Sequence, residues 1–577
     1  MDDSPRLQLD PPPRHKPDAA SFDTRRRALR RWLAELPVAD PTTSGRLLRD
    51  ALVEINRLQL SPSQRLRTLE TLRGPLAGIV SAQARNVYGT DFPLPERNQV
   101  HARQVEQLLL ELAAGYYSLI DERWRSSRKR RALPLQRSLH ALNRLLFHYV
   151  CLYQPPPPGL WAHLHRLYAT AESRGVAELS LPDPLAWRRR RSCADVYKHC
   201  LLLAAANPSR MRPQVLTQAD ALLERWAGLA RLQHAEAASH EAFFVAPDRD
   251  APPLRPSRLG VTGSSLYRLD TAPVVEAARR QLQPPPRWQF WHRSKQTPAS
   301  RQLIEDLLET LDLPPLRQSV RLPAQATMQV YMGLAQVHRG LVHYLGLSGL
   351  DPNQPRARFT SRDVPHEGHQ EQPDDIWELI YPTELLHRLA KADRQPRPAA
   401  EPPPFDTLQS QEWSVINTSA GGYCLHARAA CGYRVRVGEL LLLRERNKPR
   451  TPWQLAVVRW MQQRPDGLQI GIQRLGAMPL PALLKLTHSG GEQDTLLRAL
   501  LLPADPVSPR PSTLLVQPHA LRTKQCVVLR GATGEREIVL ADLLESGRGF
   551  MWFEYQTLQS AAMTPTEERE LSMIPGG

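Results

Sequence analysis

The sequence predicts a multidomain α+β protein. An N-terminal all-helical region is followed by a small antiparallel β-barrel towards the C-terminus and then by a further β-rich segment. Three observations carry this reading. Apolar residues recur with a period near 3.6 from about residue 24 to 235. After residue 411 the period changes to 2, in short runs separated by turn residues. The 54 prolines among 577 residues cluster between these stretches, which marks connectors between packed units.

Taken in order, residues 1–23 run from acidic to Pro-rich to basic. They lack the apolar core of an export signal and read as a disordered tail. Residues 24–235 form the helical domain. Leu29, Trp32, Leu33 and Leu36 share one helical face, as do Leu47, Leu48, Leu52 and Ile55, and then Val105, Leu108, Leu109 and Leu112. Segments 135–152, 159–174, 194–206 and 214–232 repeat the pattern. No consensus repeat recurs at a fixed period, which leaves a helical bundle and a helical-repeat region both open.

Residues 236–350 read as a mixed, mainly helical segment. It has a short strand at Phe243–Val245 and helices over 272–282, 301–312 and 324–346. Residues 351–410 read as a linker carrying one helix at 374–393 and a Pro cluster at 398–404. The barrel is expected over 411–480. Its strands are Trp413–Ile416, Gly421–Ala427, Gly438–Leu443, Trp453–Trp460 and Leu468–Ile472, with Pro465, Asp466 and Gly467 forming the last turn. In the β-rich segment 481–577, strands are expected at Thr513–Val516, Gln525–Leu529 and Arg536–Leu540.

Composition narrows the function classes. Apolar residues make up 41% of the chain, enough for packed cores, yet no apolar run approaches the roughly 18 residues of a membrane span. A cytoplasmic protein is expected. The six cysteines, at 151, 193, 200, 424, 431 and 526, include no CxxC pair, and read as buried or free thiols in a reducing compartment rather than zinc ligands. The net charge of +17 is carried almost wholly by arginine, since only eight of the 75 basic residues are Lys. Guanidinium forks suit phosphate-bearing ligands. The runs Arg123–Arg131 and Trp187–Arg191 lack the interleaved aromatics that stack single-stranded bases. They read as solvated connectors, which disfavours a nucleic-acid partner.

Enzyme signatures are missing. There is no GxSxG, HExxH or P-loop. Gly531–Glu535 (GATGE) lacks the P-loop spacing and lysine. His366 and His369 stand in a polar, Pro-bounded loop. Gly490–Asp494 (GGEQD) does not match the loop of a diguanylate cyclase. No catalytic residue, metal site or cofactor is expected.

One motif carries chemistry. Asn417-Thr-Ser419-Ala-Gly421-Gly422 fits [D/N]xSxxG and lies between two strand-like runs, WSVI and GYCL. Asn417 can donate to and accept from a purine edge, and Ser419 supplies a hydroxyl. Gly421 and Gly422 tolerate positive φ and let the backbone approach a flat ligand. The sequence that follows keeps an ordered pattern: Gly438 opens the apolar run GELLLL, then come LAVVRW, a PDG hairpin and LQIGIQRLG with Gly471. In these features 411–480 resembles the PilZ domain family.

That resemblance implies a cyclic di-GMP receptor rather than an enzyme. It also implies an RxxxR arm shortly before the barrel to hold the ligand phosphates. Arg358-Phe-Thr-Ser-Arg362 has this spacing but ends 55 residues before Asn417. Arg394 and Arg397 are nearer with the wrong spacing, and Arg446 and Arg450 fall inside the barrel. The expected ligand site is therefore Arg358, Arg362, Asn417, Ser419, Gly421 and Gly422. The expected function is an effector that binds cyclic di-GMP and signals to an unidentified protein partner through its helical region. Two alternatives stay open: a PilZ-like adaptor without nucleotide, and an Arg-rich nucleic-acid-binding protein.

Overall fold

The computed structural model describes residues 6–18, 21–120, 127–187, 189–235, 242–255, 266–283, 298–312, 321–352, 381, 385, 410–428, 434–448, 451–486, 495–504, 511–519, 521–547 and 549–557. They divide into two units, Met1–Gln318 with Trp460–Leu468, and Ser319–Arg459 with Gln469–Gly577.

The first unit is built on helices α1 (Arg26–Ala34), α2 (Pro41–Arg57), α3 (Pro62–Val87), α4 (Glu96–Tyr117), α5 (Arg128–Cys151) and α6 (Leu160–Ser173). A two-strand ribbon follows, β1 (Leu181–Pro182) with β2 (Arg190–Arg191), and then α7 (Cys193–Ala205) and α8 (Pro213–Trp226). Helix starts are encoded locally. Asp40 accepts the Thr42 and Thr43 N–H groups, with Pro41 at the first helical position of α2. Ser61 and Pro62 do the same for α3, and Ser192 with Asp195 forms a capping box on α7. Helix α5 is central, packed on α4, α6 and α7, and is buried along most of its length. A small sheet of β3 (Arg231–Ala235), β4 (Phe243–Val245) and β5 (Leu266–Asp270), with β5 in the middle, leads to α9 (Ala272–Leu282) and α10 (Pro298–Leu311).

Buried charge ties the bundle together. Asp183, fully buried, accepts both Arg73 forks at 2.7 and 3.0 Å and Gln136 at 3.0 Å, with Arg137 Nη1 at 3.2 Å. Its carboxyl is held well below the usual carboxylate range by these donors, against the opposing effect of burial. The run Trp187–Arg191 is solvated at Trp187, Arg189 and Arg190, as expected from its charge, but not at Arg191. Arg191 is buried, 3.1 Å from His199 Nδ1 and 3.2 Å from Glu224, and the Trp187 ring lies 3.7 Å below the Arg225 guanidinium.

The second unit holds two barrels. Strands β6 (Leu322–Pro323) and β7 (Thr327–Met332) come first, then helix α11 (Leu334–Leu345). Residues 324–346 were expected to be helical throughout. The alternation of TMQVYM instead makes 327–332 a strand, and the helix begins after Gly333. Then come β8 (Gln411–Ser419), β9 (Gly422–Arg428), β10 (Leu440–Glu445), β11 (Gln454–Arg464) and β12 (Gly467–Ala477). The sheet order is β6-β8-β7-β10-β11-β12-β9, and β8 also pairs with β9. That extra pairing closes a six-stranded ring, in which β6 continues the line of β7 along β8.

The second ring is a closed barrel of β13 (Leu480–Leu486), β14 (Thr495–Leu502), β15 (Thr513–Val516), β18 (Met551–Thr557), β17 (Glu535–Ser546) and β16 (Cys526–Arg530). A shared apolar core joins the rings, with Leu442 and Val457 of the first against Leu500, Leu515 and Phe550 of the second. Helix α11 packs on strands of both. Its His338 is buried, with Nε2 2.9 Å from the Ala482 carbonyl oxygen, and burial pushes its pKa down to about 4. Of residues 353–409 only Tyr381 and Leu385 are described. Both are buried in the core of the second barrel, where the Tyr381 hydroxyl donates to the Pro481 carbonyl at 2.6 Å. No described helix is long and apolar enough to cross a membrane.

Candidate functional site

The Asn417–Gly422 motif sits at the tight turn between β8 and β9. Ser419 pairs with Gly422, Thr418 with Tyr423 and Asn417 with Cys424, after a register shift between Val415 and Asn417. The shift takes this end of β8 out of the strict in–out alternation that buries Trp413 and Val415, and leaves Asn417, Thr418 and Ser419 partly exposed. Ser419 Oγ donates to the Gly422 carbonyl at 3.3 Å, so the hydroxyl stiffens its own turn.

The two glycines differ in what they require. Neither has a positive φ, so the conformational reason expected from sequence does not apply. At Gly422 the reason is space. A Cβ there would lie 1.9 Å from the Ile472 carbonyl oxygen and 3.2 Å from Gln473 Cα, so β12 passes directly against it. At Gly421 a Cβ would meet nothing within 4 Å.

Two arginines flank this turn. On one side β6 pairs with β8 through Leu322↔Thr418 and Pro323↔Asn417. Continuing that register sets Arg321, an exposed residue, opposite Ser419. On the other side Arg474 of β12 donates its backbone N–H to the Gly421 carbonyl at 2.9 Å and its Nη2 to the Ala420 carbonyl, and its guanidinium lies 5.7 Å from the Tyr423 ring centre. Neither arginine is paired with a carboxylate among the described residues.

The sequence-predicted site is brought together only in part. Asn417, Ser419, Gly421 and Gly422 converge on one turn. Arg358 and Arg362 lie outside the described residues, as do Arg394, Arg397 and Arg450. Arg446 is paired with Glu412 on the barrel. Sequence reasoning did not single out Arg321, although its spacing fits the arm pattern. Arg317-Gln-Ser-Val-Arg321 also fits RxxxR and runs straight into β6; Arg317 itself lies outside the described residues.

Other features of the molecule do not compete for this role. A cavity of about 620 Å³ lies between α3 and α5. Its inner arginines are already engaged by carboxylates: Arg73 by Asp183, Arg144 by Asp220 and Arg191 by Glu224. Among the described residues no group of three or more His, Cys, Asp or Glu is placed to hold a metal ion.

Family models for the cyclic-di-GMP receptor FimW match in series: its N-terminal domain over residues 27–238, its middle PilZ domain over 242–481 and its C-terminal β-barrel domain over 482–558. The chain carries a PilZ domain. The PilZ match extends well upstream of the barrel predicted at 411–480. It takes in β6, β7 and α11, so the PilZ domain is the middle part of the chain rather than its C-terminal part alone. All three models describe parts of a receptor, and the chain is not an enzyme. The chain is also 29% identical, over 592 aligned positions, to the cyclic-di-GMP receptor FimW of Pseudomonas aeruginosa, covering 98% of this chain and 96% of that protein. No solved structure matches the chain significantly.

Proposed function

We propose that this PilZ protein is a cytoplasmic receptor for cyclic di-GMP that passes the level of this second messenger to a protein partner through its helical unit. The observation that carries the reading is the register of β6 on β8. It sets Arg321, without a carboxylate partner among the described residues, opposite Ser419 of the Asn417–Gly422 turn. A guanine edge can be read by Asn417 and approached closely over Gly421, while a phosphate takes the guanidinium fork. The arm is then Arg321, with Arg317 four residues before it in sequence, in place of Arg358 and Arg362. The likeness to FimW supports the same ligand.

Titration calorimetry on the full chain tests this. Cyclic di-GMP should bind and GTP should not compete at equal concentration. Arg321→Ala should weaken binding roughly tenfold or more, since hydrogen bonds to charged groups contribute about 1.5–3 kcal/mol. Asn417→Ala should also weaken it, and Arg358→Ala with Arg362→Ala should not. No heat at high micromolar ligand would overturn the receptor reading in favour of a nucleotide-free adaptor. Loss of binding in the Arg358/Arg362 variant alone would return the arm to those residues.

A further inference from the structure

The ligand named above carries two phosphates, and Arg321, the described arginine of the arm, stands on one side of the turn. We propose that Arg474 is a second cationic contact, so that the turn is clamped from both flanks. This inference rests on the reading of the chain as a cyclic di-GMP receptor.

Strand order carries the argument. Around the ring the sequence of neighbours is β6, β8, β9, β12. Arg321 enters from β6, the motif occupies β8 and β9, and Arg474 enters from β12. Counted along the closed ring, three strand spacings, roughly 14 Å, separate β6 from β12. A cyclic dinucleotide lying over Ser419 and Gly421 would meet a guanidinium at each end.

The chemistry of Arg474 fits this role. Its Nη2 donates to the Ala420 carbonyl, which holds the guanidinium at the turn without neutralising it. The Tyr423 ring supports one side of the group. A guanidinium has five N–H donors in a fixed fork, so one bond to a carbonyl leaves most of them for a phosphate. Arg459, on the neighbouring strand, is a useful contrast, because both of its forks are taken by Glu545.

Arg474 also braces the turn, and the test must separate bracing from ligand contact. Cyclic di-GMP affinity is measured by calorimetry at several NaCl concentrations for wild type, Arg474→Ala, Arg474→Lys and Arg321→Ala, all full length and checked for fold by circular dichroism. A phosphate contact predicts that Arg474→Ala binds roughly tenfold or more weakly, with a shallower salt dependence than wild type. Arg474→Lys keeps the charge without the fork. It should recover part of the affinity and the full salt dependence. If wild type binds but Arg474→Ala is unchanged, or is weaker with the wild-type salt dependence and no rescue by lysine, Arg474 only braces the turn and the clamp is wrong while the receptor reading stands. If wild type itself shows no binding, the receptor reading falls and takes the clamp with it.

Discussion

Arg459 lies across Glu545, with Nη1 and Nη2 each 2.9 Å from a different carboxylate oxygen. Its Nε donates to Gln473 Oε1 at 2.8 Å. The pair joins β11 of the PilZ barrel to β17 of the C-terminal barrel, and Gln473 is the residue whose Cα crowds Gly422. One guanidinium thus connects the floor of the Asn417–Gly422 turn to the second barrel.

The pair is partly exposed, with side-chain accessibilities of 29% and 20%, so its worth lies between that of a surface pair and a buried one. A double-mutant cycle of Arg459→Ala and Glu545→Ala in urea should give a coupling energy of roughly 1–2 kcal/mol. Glu545→Ala should also weaken cyclic di-GMP binding, although Glu545 lies on a strand of the other barrel. A coupling energy near zero would show that the fork does not link the two barrels energetically.

Gly422→Ala should be severe. The added methyl would meet the backbone of β12, which has no side chain to swing aside, so one strand must shift. A loss of about 1–3 kcal/mol is expected, together with loss of ligand binding. Gly421→Ala meets open space and should keep wild-type stability in thermal unfolding. Equal damage from both substitutions would contradict the packing described for the turn.

Asp183→Ala should be among the most destabilising changes in the helical unit. It would leave Arg73 buried without its carboxylate and Arg137 with only Glu70, at a cost of about 3–5 kcal/mol. Chemical denaturation of the variant would show a lower midpoint. A change below 1 kcal/mol would mean that the pocket takes in water readily.

Acid should weaken the junction between the barrels. Burial lowers the folded-state pKa of His338 to about 4 from 6.5. The folded protein therefore binds fewer protons than the unfolded chain between those values. The contribution is full above pH 6.5, falls as pH drops towards 4 and levels off below it, amounting to roughly 3 kcal/mol. His338→Gln can keep a hydrogen bond to the Ala482 carbonyl without titrating. The measured stability of that variant should fall less between pH 6.5 and 4.5 than that of wild type. Identical acid limbs would remove His338 from the explanation.

The motif was legible because its chemistry is local. Six consecutive residues define the turn, and strand-like runs on either side identify the hairpin. The arm proposed at Arg321 was not legible, for a reason that lies in topology. Reading the barrel as starting at 411 directs the search for RxxxR to the residues just before it, where Arg358 and Arg362 stand. The structure starts the ring at β6 and β7, before α11. Thr327–Met332 escaped notice because its apolar residues, together with Leu334 and Val337, also satisfy a helical spacing. Leucine hid β13 and β14 in a similar way, since LPALLKL and TLLRALLL lack the β-branched residues that mark strands. Arg191 was misread for another reason. Its partners, His199 and Glu224, belong to α7 and α8, and charge alone does not reveal that a guanidinium will be enclosed by them.

The division of the PilZ barrel around α11 and residues 353–409 sets the order of its birth. At synthesis rates of about 5–20 residues per second, β7 leaves the ribosome roughly 7–30 s before β12 completes the ring. For about 4–17 s of that interval, until β8 is made, β7 lacks both of its partners, β8 and β10, and the Asn417–Gly422 turn is made before β12 can pack against it. Contacts this distant in sequence make ring closure slow compared with the local pairings of the helical unit. A growing chain can therefore finish helices α1–α10 well before its PilZ barrel closes, and a molecule cut short between α10 and β12 would carry those helices without a closed barrel.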